Sequence, residues 1–258
     1  MKKLVLFDMD GTIYLGNKLF DFVPSLFDYL NNKKIDYVFL TNNSSVSIDH
    51  YVKKITNFGI KCDEHNFYTS SETTVKYLKD KGYKDLFVLG VKSFKKILKK
   101  NFNIIDEYNK DKKVDVVVAS FDTELTYEDL KTAALYIQDG SDFIATNIDY
   151  RCPIEDGKYI PDCGGLCKWL EMCTNVAAKF MGKPNPAMIY QVAEKFNVDL
   201  KDIIIVGDRY YTDIMAGINA GIDTMGVLTG ESTKEEFLNA KNPPTYIAET
   251  AEDLLKIL

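Results

Sequence analysis

Short unbroken runs of apolar residues alternate along the chain with longer segments in which apolar residues recur at helical spacing. An apolar run without polar alternation predicts a strand buried on both faces, because helices then cover each face of a parallel sheet. Parallel strands also need helical crossovers, and the second pattern supplies them. The sequence therefore predicts an α/β fold built on a Rossmann-like, doubly wound parallel sheet.

The predicted elements form two series, because the pattern restarts near Gly82 and returns to the first series after the middle third of the chain. Strands are predicted over residues 1–7, 35–40, 86–89, 114–119, 143–145, 203–206 and 224–228. Helices are predicted over residues 22–32, 47–58, 70–81, 92–100, 127–138 and 166–173, and from Pro186 onward. We expect a core domain of residues 1–79 and 178–258, interrupted by a smaller α/β domain of residues 80–177.

Two acids follow the first predicted strand, in the segment Asp8-Met9-Asp10-Gly11-Thr12. Side chains alternate along a strand, so Asp8 and Asp10 point the same way at the carboxyl end, where open α/β sheets bind ligands. Such close carboxylates repel each other unless a cation lies between them, and Mg²⁺ is the hard divalent ion that this pattern favours. For this motif by itself, a plain strand-to-turn signal or a piece of a calcium loop is an equal alternative.

Polar residues also follow the second predicted strand, in the segment Thr41-Asn42-Asn43-Ser44. Hydroxyl and amide donors next to a helix start form a natural anion site. The same residue types are favoured as simple helix caps, so this segment has two interpretations.

A lysine and two further acids lie in the last third of the chain. Lys183 precedes Pro184 on a loop that enters a helix, where a single lysine is ordinarily solvated. Asp208 ends the apolar run of residues 203–206, and Asp213 lies near the start of the following helix. The carboxyl ends of two predicted strands therefore carry acids.

Composition and charge exclude several classes of protein. A net charge of -6 and an isoelectric point of about 5.1 disfavour a nucleic-acid partner, which would select a basic surface. The first apolar run ends at Asp8, too soon for a signal peptide, and no run approaches the ~20 apolar residues of a membrane span. We therefore expect a cytoplasmic protein with no membrane partner.

The cysteines and histidines predict no further chemistry. The five cysteines form no CxxC pair, and Cys163 and Cys167, four residues apart, have no neighbouring histidine to complete a zinc site. His50 and His65 adjoin no serine or cysteine in a nucleophile turn, so a Ser-His-Asp hydrolase is disfavoured.

Together, the segments FDMDGT, TNNS, GKPNP and GDRYYTD resemble the four motifs of the haloacid dehalogenase-like (HAD) hydrolase superfamily. Together with the segment ATNID, the sequences of these motifs are similar to those of one branch, the class IIA phosphatases related to NagD and to 4-nitrophenyl phosphatases. In that branch a cap domain that governs substrate specificity is inserted between the second and third motifs. The second series of elements occupies that position here, which implies that residues 80–177 form the cap.

The resemblance implies a role for each strand-end residue. Asp8 would be the nucleophile that forms an aspartyl-phosphate, and Asp10 would be the general acid and base. An acid at position 10 also favours phosphoryl transfer from oxygen, since dehalogenases and phosphonate-cleaving members lack one there. The phosphate would be bound by four residues: Thr41, Asn42, Asn43 and Lys183. The Mg²⁺ cofactor would be held by Asp8, the backbone carbonyl of Asp10, Asp208 and, through water or a second layer of ligands, Asp213.

The predicted cap carries a polar segment, residues 146–153, which is followed by a turn signal at Asp156-Gly157. We expect its Asn147, Asp149 and Arg151 to read the leaving group of the substrate, although they could equally shape a turn. Ile148 stands where the family has proline, so the resemblance does not define the shape of this loop or the identity of the substrate.

The implied function is Mg²⁺-dependent hydrolysis of a small phosphomonoester, such as a sugar phosphate, a nucleoside monophosphate or phosphoglycolate. A phosphomutase of the same fold and a non-catalytic module that senses a phosphorylated metabolite are the alternatives. A homodimer is expected by analogy with the family's cap contacts.

Overall fold

The computed structural model of the protein describes residues 2–153 and 158–258, so the predicted turn at Asp156-Gly157 lies outside the described residues. The chain divides into two compact units. The first unit comprises Met1–Thr41, Ile48–Tyr68 and Lys183–Leu258, and the second comprises Asn42–Ser47 and Thr69–Gly182. Each unit is an α/β structure with its own parallel sheet.

The strands lie in chain order as follows: β1 (Leu4–Phe7), β2 (Tyr14–Leu15), β3 (Lys18–Leu19), β4 (Asp36–Thr41), β5 (Phe67–Thr69), β6 (Asp85–Leu89), β7 (Asn103–Ile105), β8 (Val116–Ala119), β9 (Asp142–Ala145), β10 (Arg151–Pro153), β11 (Tyr159–Pro161), β12 (Lys179–Phe180), β13 (Ile203–Gly207), β14 (Asp223–Val227) and β15 (Tyr246–Ala248).

The α-helices are α1 (Val23–Lys33), α2 (Ile48–Asn57), α3 (Ser70–Lys81), α4 (Lys92–Lys99), α5 (Tyr127–Gln138), α6 (Cys163–Thr174), α7 (Ala187–Phe196), α8 (Met215–Ala220) and α9 (Lys234–Asn239). A π-helical turn, Tyr210–Ile214, precedes α8. None of the described helices combines the length and the apolar composition that a membrane crossing requires.

The first unit is organised around β1, the centre of a six-stranded sheet in the order β15-β14-β13-β1-β4-β5. Every residue of β1 is buried, and the strand runs parallel to both β13 and β4, with Leu4 opposite Ile203 and Asp36. Leu4 and Leu6 pack with α7 on one face of the sheet, whereas Phe7 packs against Phe27 of α1 on the other. Burial on both faces explains why the sequence of β1 has no polar alternation.

The second unit contains a five-stranded parallel sheet in the order β12-β9-β8-β6-β7. Alternate residues of β8 serve opposite faces, as the pleat requires. Val117 packs in a cluster with α5 and α6, whereas Val116 and Val118 pack in another that includes Phe94 of α4. This sheet is therefore also covered by helices on both faces.

Most predicted elements are confirmed to within a few residues, but several short strands were not predicted. The first strand begins at Leu4 rather than at residue 1, and helix α3, which we expected in the core domain, belongs to the second unit. The segment Asn42–Ser47 also belongs to the second unit. The strands that the sequence failed to signal are two or three residues long: β2, β3, β5, β7, β10, β11 and β15.

Candidate active site

Asp8 and Asp208 lie at the carboxyl ends of two neighbouring strands of the first unit. Asp8 follows β1 and Asp208 follows β13, and these strands are parallel, with Phe7 opposite Val206. Asp213 lies in the π-helical turn, a form that is frequent at functional sites. One carboxylate oxygen from each of these three acids lies within 4.8 Å of the others. Parallel pairing thus brings together acids that are far apart in the sequence.

Lys183 ties two of these acids together. Its Nζ lies 2.6 Å from Oδ1 of Asp8 and 2.6 Å from Oδ1 of Asp213, and it donates to the backbone oxygen of Leu40 at 3.1 Å. Its side chain is 2% exposed. Burial by itself would lower the pKa of Lys183, but the charges of Asp213 and Asp8 outweigh burial and raise it. Lys183 is therefore a buried, protonated cation rather than the solvated lysine typical of loops.

Asp208 is held by donors from two separate loops. The backbone N–H of Glu231 donates to its Oδ2 at 2.7 Å, and the hydroxyl of Thr12 donates to its Oδ1 at 3.4 Å. The hydroxyl of Thr229 donates to the backbone oxygen of Gly11 at 2.5 Å, which links these loops to each other. The orientation of the Asp208 carboxylate is therefore fixed.

Two glycines make room for Asp208. A Cβ at Gly11 would lie 2.6 Å from Oδ2 of Asp208, and one at Gly230 would lie 2.0 Å from the same atom. Gly11 also has a φ of 86°, in the left-handed region that other residues seldom adopt. Both backbones therefore approach the carboxylate more closely than any side chain would allow.

Burial and mutual repulsion raise the pKa values of the clustered acids. Burial raises the pKa of Asp8 to about 8; Lys183 opposes this shift, and the charges of Asp213 and Asp208 add to it. Burial also raises the pKa of Asp208 to about 6, with a further contribution from Asp213. Three carboxylates against the ammonium of Lys183 leave an excess of negative charge, which a cation would relieve. The donor set consists of oxygen, which matches a hard divalent cation such as Mg²⁺.

Asp10 and Thr41, the other predicted residues of the first unit, have contrasting surroundings. Asp10 is exposed, and its Oδ1 accepts from the backbone N–H of Gly16 at 3.4 Å, beside the β2–β3 hairpin. Thr41 is buried at the end of β4, the other neighbour of β1. Both therefore follow or end strands at the same edge of the sheet as Asp8.

The remaining predicted residues belong to the second unit, and their surroundings within that unit differ. Asn147 and Asp149 are buried, and the Asn147 amide donates to Oδ2 of Asp149 at 3.0 Å. Asn42 donates to the same oxygen at 3.0 Å. The exposed Asn43 accepts from the backbone N–H of Ser45, and the exposed Arg151 lies over the ring of Tyr159.

The loop after β14, in which Gly230 and Glu231 contact Asp208, was not among the predicted site residues. A usable signal was present, since Thr229-Gly230 follows the fourth predicted apolar strand of the same series. The loop acts through the backbone N–H of Glu231 and through the missing side chain of Gly230, and neither is a reactive group that stands out in a sequence.

Two family models match the chain. One, described as haloacid dehalogenase-like hydrolase, matches residues 5–101, and the other, described as HAD-hydrolase-like, matches residues 180–254. The matched regions contain Asp8, Lys183, Asp208 and Asp213.

Similar proteins with assigned names cover nearly the whole chain. An acid sugar phosphatase of Staphylococcus saprophyticus is 35% identical, over 99% of this chain and 98% of its own. The crystal structure of a 4-nitrophenylphosphatase from Thermotoga maritima superposes with a TM-score of 0.91, at 37% identity, covering 99% of this chain and 97% of that one.

A more distant structure, glycerol phosphate phosphatase from Mycobacterium tuberculosis in complex with magnesium, has a TM-score of 0.86 at 25% identity and covers 95% of this chain and 74% of that one. The matched motifs, the parallel sheet and these relatives together show that the chain belongs to the haloacid dehalogenase-like hydrolases, in the phosphatase branch that includes NagD and the 4-nitrophenyl phosphatases.

Proposed function

We propose that this phosphatase hydrolyses small phosphorylated metabolites with Mg²⁺, through an aspartyl-phosphate formed on Asp8. The observation that supports the proposal best is Lys183, whose ammonium lies 2.6 Å from oxygens of both Asp8 and Asp213. A partly buried carboxylate that must approach an anionic phosphate needs neighbouring positive charge, and Lys183 supplies it.

Asp8 is the nucleophile in this mechanism. One of its carboxylate oxygens attacks phosphorus, and the bond from phosphorus to the ester oxygen breaks. Lys183 contacts Oδ1 of Asp8 and so fixes the direction of the carboxylate while neutralising part of the charge on the phosphoryl group. Hydrolysis of the aspartyl-phosphate then returns Asp8 to its starting state.

Asp10 is the general acid and base. Its exposed carboxyl group gives a proton to the leaving alkoxide in the first step and takes one from the attacking water in the second. The donors at and after the end of β4, Thr41, Asn42 and Asn43, bind the transferring phosphoryl oxygens. These roles divide the work between proton transfer and charge stabilisation.

The candidate ligands for Mg²⁺ are Asp8, the backbone carbonyl of Asp10, Asp208 and, through water or from a second layer, Asp213. When bound, the ion supplies Lewis-acid stabilisation of the phosphoryl charge and screens the anionic nucleophile. The fixed orientation of Asp208, between Thr12, Glu231 and two glycines, supports this assignment.

We assign substrate selection to the second unit, as the inserted cap domain, with Asn147, Asp149 and Arg151 as the predicted specificity residues. Among the proposed substrate classes, sugar phosphates come first, because a 35% identical relative is named an acid sugar phosphatase. The homodimer and the cytoplasmic location stay predictions.

Release of inorganic phosphate across a panel of phosphate esters tests the proposal directly. The panel should hold 4-nitrophenyl phosphate, hexose phosphates, glycerol phosphate, nucleoside monophosphates and phosphoglycolate, each assayed with Mg²⁺ and with a chelator. We expect metal-dependent phosphate release, with at least one sugar phosphate among the best substrates. An isomerised ester without free phosphate would indicate a phosphomutase instead, and tight binding without turnover would indicate a sensing module.

The raised pKa values predict how stability depends on pH and on metal. The unfolded chain loses its carboxyl protons near pH 4, whereas metal-free native protein keeps a proton on Asp8 up to about pH 8 and on Asp208 up to about pH 6. Metal-free stability should therefore fall as the pH rises through this window. Mg²⁺ binds the deprotonated carboxylates, so the rise in melting temperature that it causes should be larger near pH 8 than near pH 5.

Thermal unfolding with Mg²⁺ or with a chelator measures this effect. At a hundredfold excess of Mg²⁺ over its Kd, binding would stabilise the native state by about 2.7 kcal/mol. Asp208→Asn should lose most of the metal-dependent shift, whereas Glu128→Gln, which changes an exposed acid of the second unit, should keep it. A shift independent of pH, or one retained by Asp208→Asn, would contradict the proposed site.

A further inference from the structure

The second unit contains a largely buried polar cluster, formed by Asn42, Asn147, Asp149 and Asp162, beside two of its four connections to the first unit. The chain passes between the units after Thr41 and again before Lys183, and both of these residues belong to the proposed site. Their neighbours in the chain, Asn42 and Gly182, lie in the second unit, where both are held by the same cluster. The contacts of that cluster are therefore relevant to where Thr41 and Lys183 lie.

Asp149 is the acceptor at the centre of the cluster. The side chain is buried, and its Oδ2 accepts from the amides of Asn42 and Asn147, each at 3.0 Å. The Asn147 amide also donates to Asp162 at 3.3 Å, and Asp162 caps the N-terminus of α6 through the N–H of Cys163. Asp149 thus connects Asn42, through Asn147 and Asp162, to the start of helix α6.

Gly182 is packed against the same groups. Its N–H donates to the backbone oxygen of Thr146 at 2.8 Å. A Cβ at Gly182 would lie 2.5 Å from Oδ1 of Asn42 and 2.6 Å from the oxygen of Thr146, so these atoms occupy the space that a side chain would need. The Asn42 amide is therefore wedged between Asp149 and the backbone that leads into Lys183.

Further hydrogen bonds hold the rest of the Asn42–Ser47 segment within the second unit. The hydroxyl of Ser70 donates to the backbone oxygen of Asn42 at 2.7 Å, and that of Ser93 donates to the backbone oxygen of Ser45 at 2.7 Å. The Ser44 hydroxyl hydrogen-bonds with those of Ser120, at 2.6 Å, and Thr146, at 3.1 Å. Most of these bonds fix backbone or buried side chains, whereas the bond from Asn42 to Asp149 holds a side-chain amide.

We propose that Asp149 is a positioning residue, which fixes Asn42 and, through Asn42 and Gly182, the placement of Thr41 and Lys183. This inference rests on the proposed function, in that Thr41, Asn42 and Lys183 bind the phosphoryl group. In this proposal Asp149 positions the phosphoryl-binding segment, whereas the sequence predicted that it would contact the leaving group. A residue that acts on the phosphoryl-binding segment affects every ester equally, whereas one that reads the leaving group changes the order of preference among esters.

The kinetic test uses Asp149→Ala and Asp149→Asn with three esters that differ in leaving group: 4-nitrophenyl phosphate, a hexose phosphate and glycerol phosphate. Asp149→Ala removes the carboxylate oxygen that the amides of Asn42 and Asn147 share, and we expect kcat to fall about 10- to 100-fold by the same factor for all three esters. Asp149→Asn keeps an acceptor oxygen, so its kcat should stay within about 3-fold of the wild-type value. Ester-dependent factors that differ by more than about 10-fold would overturn the proposal.

A double-mutant cycle identifies the residue through which Asp149 acts. If Asp149 acts through Asn42, adding Asp149→Ala to Asn42→Ala should lower kcat by less than about 2-fold, because the contact is already lost. Fully additive effects would contradict that route. Ser141→Ala is the matched control, since it removes a buried hydrogen bond to Val114 at the opposite end of β9 and should leave kcat unchanged.

Hydrogen exchange keeps the inference separate from the proposed function. In Asp149→Ala, amides in residues 42–47 and 178–183 should exchange faster, whereas those of β8 should be unchanged. If Asp149→Ala fails to fold, Asn147→Ala weakens the same anchor and should show the same pattern to a smaller degree. Unchanged exchange would refute the inference even if the enzyme is active. Absence of phosphatase activity in the wild type would refute the proposed function, and hydrogen exchange would then still test whether Asp149 positions these two segments.

Discussion

Asp8→Asn is expected to lower kcat for 4-nitrophenyl phosphate by about 10⁴-fold or more, because an amide oxygen does not form the aspartyl-phosphate. The variant should nevertheless fold. Asparagine has the shape of aspartate and keeps an oxygen for the ammonium of Lys183. It also removes a charge whose burial is unfavourable, as the raised pKa of Asp8 indicates, so metal-free Asp8→Asn should be at least as stable as the wild type near pH 8.

Steady-state kinetics and thermal unfolding on the same preparations check this prediction. Asp21→Asn, an exposed acid just before α1, is the matched control and should leave both quantities unchanged. Asp10→Asn gives a second measure, since it lacks the base that activates water and should accumulate phosphorylated protein after mixing with 4-nitrophenyl phosphate. More than about a tenth of wild-type kcat in Asp8→Asn would remove Asp8 as the nucleophile.

Lys183→Met is expected to have the largest combined effect on stability and activity. Methionine keeps much of the side-chain volume but leaves the carboxylates of Asp8 and Asp213 without their shared cation, in a site where Lys183 is 2% exposed. Breaking a buried ion pair from one side costs about 3–5 kcal/mol of unfolding free energy. Loss of a cation aimed at the transferring phosphoryl group should lower kcat by about 10²- to 10³-fold.

Lys179→Met is the control for the chemical change itself, since Lys179 is exposed and lies over the ring of Tyr77. It should alter stability by less than about 0.5 kcal/mol, as surface substitutions usually do. Denaturant unfolding with Mg²⁺ and with a chelator gives both free energies. A Lys183→Met protein as stable as the control would show that the acids do not depend on the ammonium.

The residues that carry charge at strand ends could be predicted from the sequence, for a definite physical reason. Buried parallel strands are apolar throughout, so an acid such as Asp8 or Asp208 that interrupts the pattern is conspicuous. Parallel pairing then brings these interruptions to one edge of the sheet, which is why acids distant in the sequence converge within 4.8 Å. Lys183 could be included through its motif, because nothing in its immediate sequence indicates burial.

The features that could not be predicted depend on contacts between distant, chemically ordinary segments. Gly230 is an unremarkable turn residue in the sequence, and its close approach to Asp208 exists only in the folded chain. Asn42 follows the end of β4 directly, yet its amide contacts Asp149 in the second unit. Short strands such as β7 and β15 also could not be predicted, because three residues do not define a period.

The position of β1 has a consequence for how this polypeptide matures. Leu4 pairs with Ile203, so one edge of β1 stays open on the ribosome until β13 has been made, while all strands of the second sheet are already available. Pairing over such a separation is slow, and an open apolar edge invites association with other chains. Yield of native protein should therefore depend on synthesis rate and chaperone supply more steeply than the final stability of the enzyme would suggest.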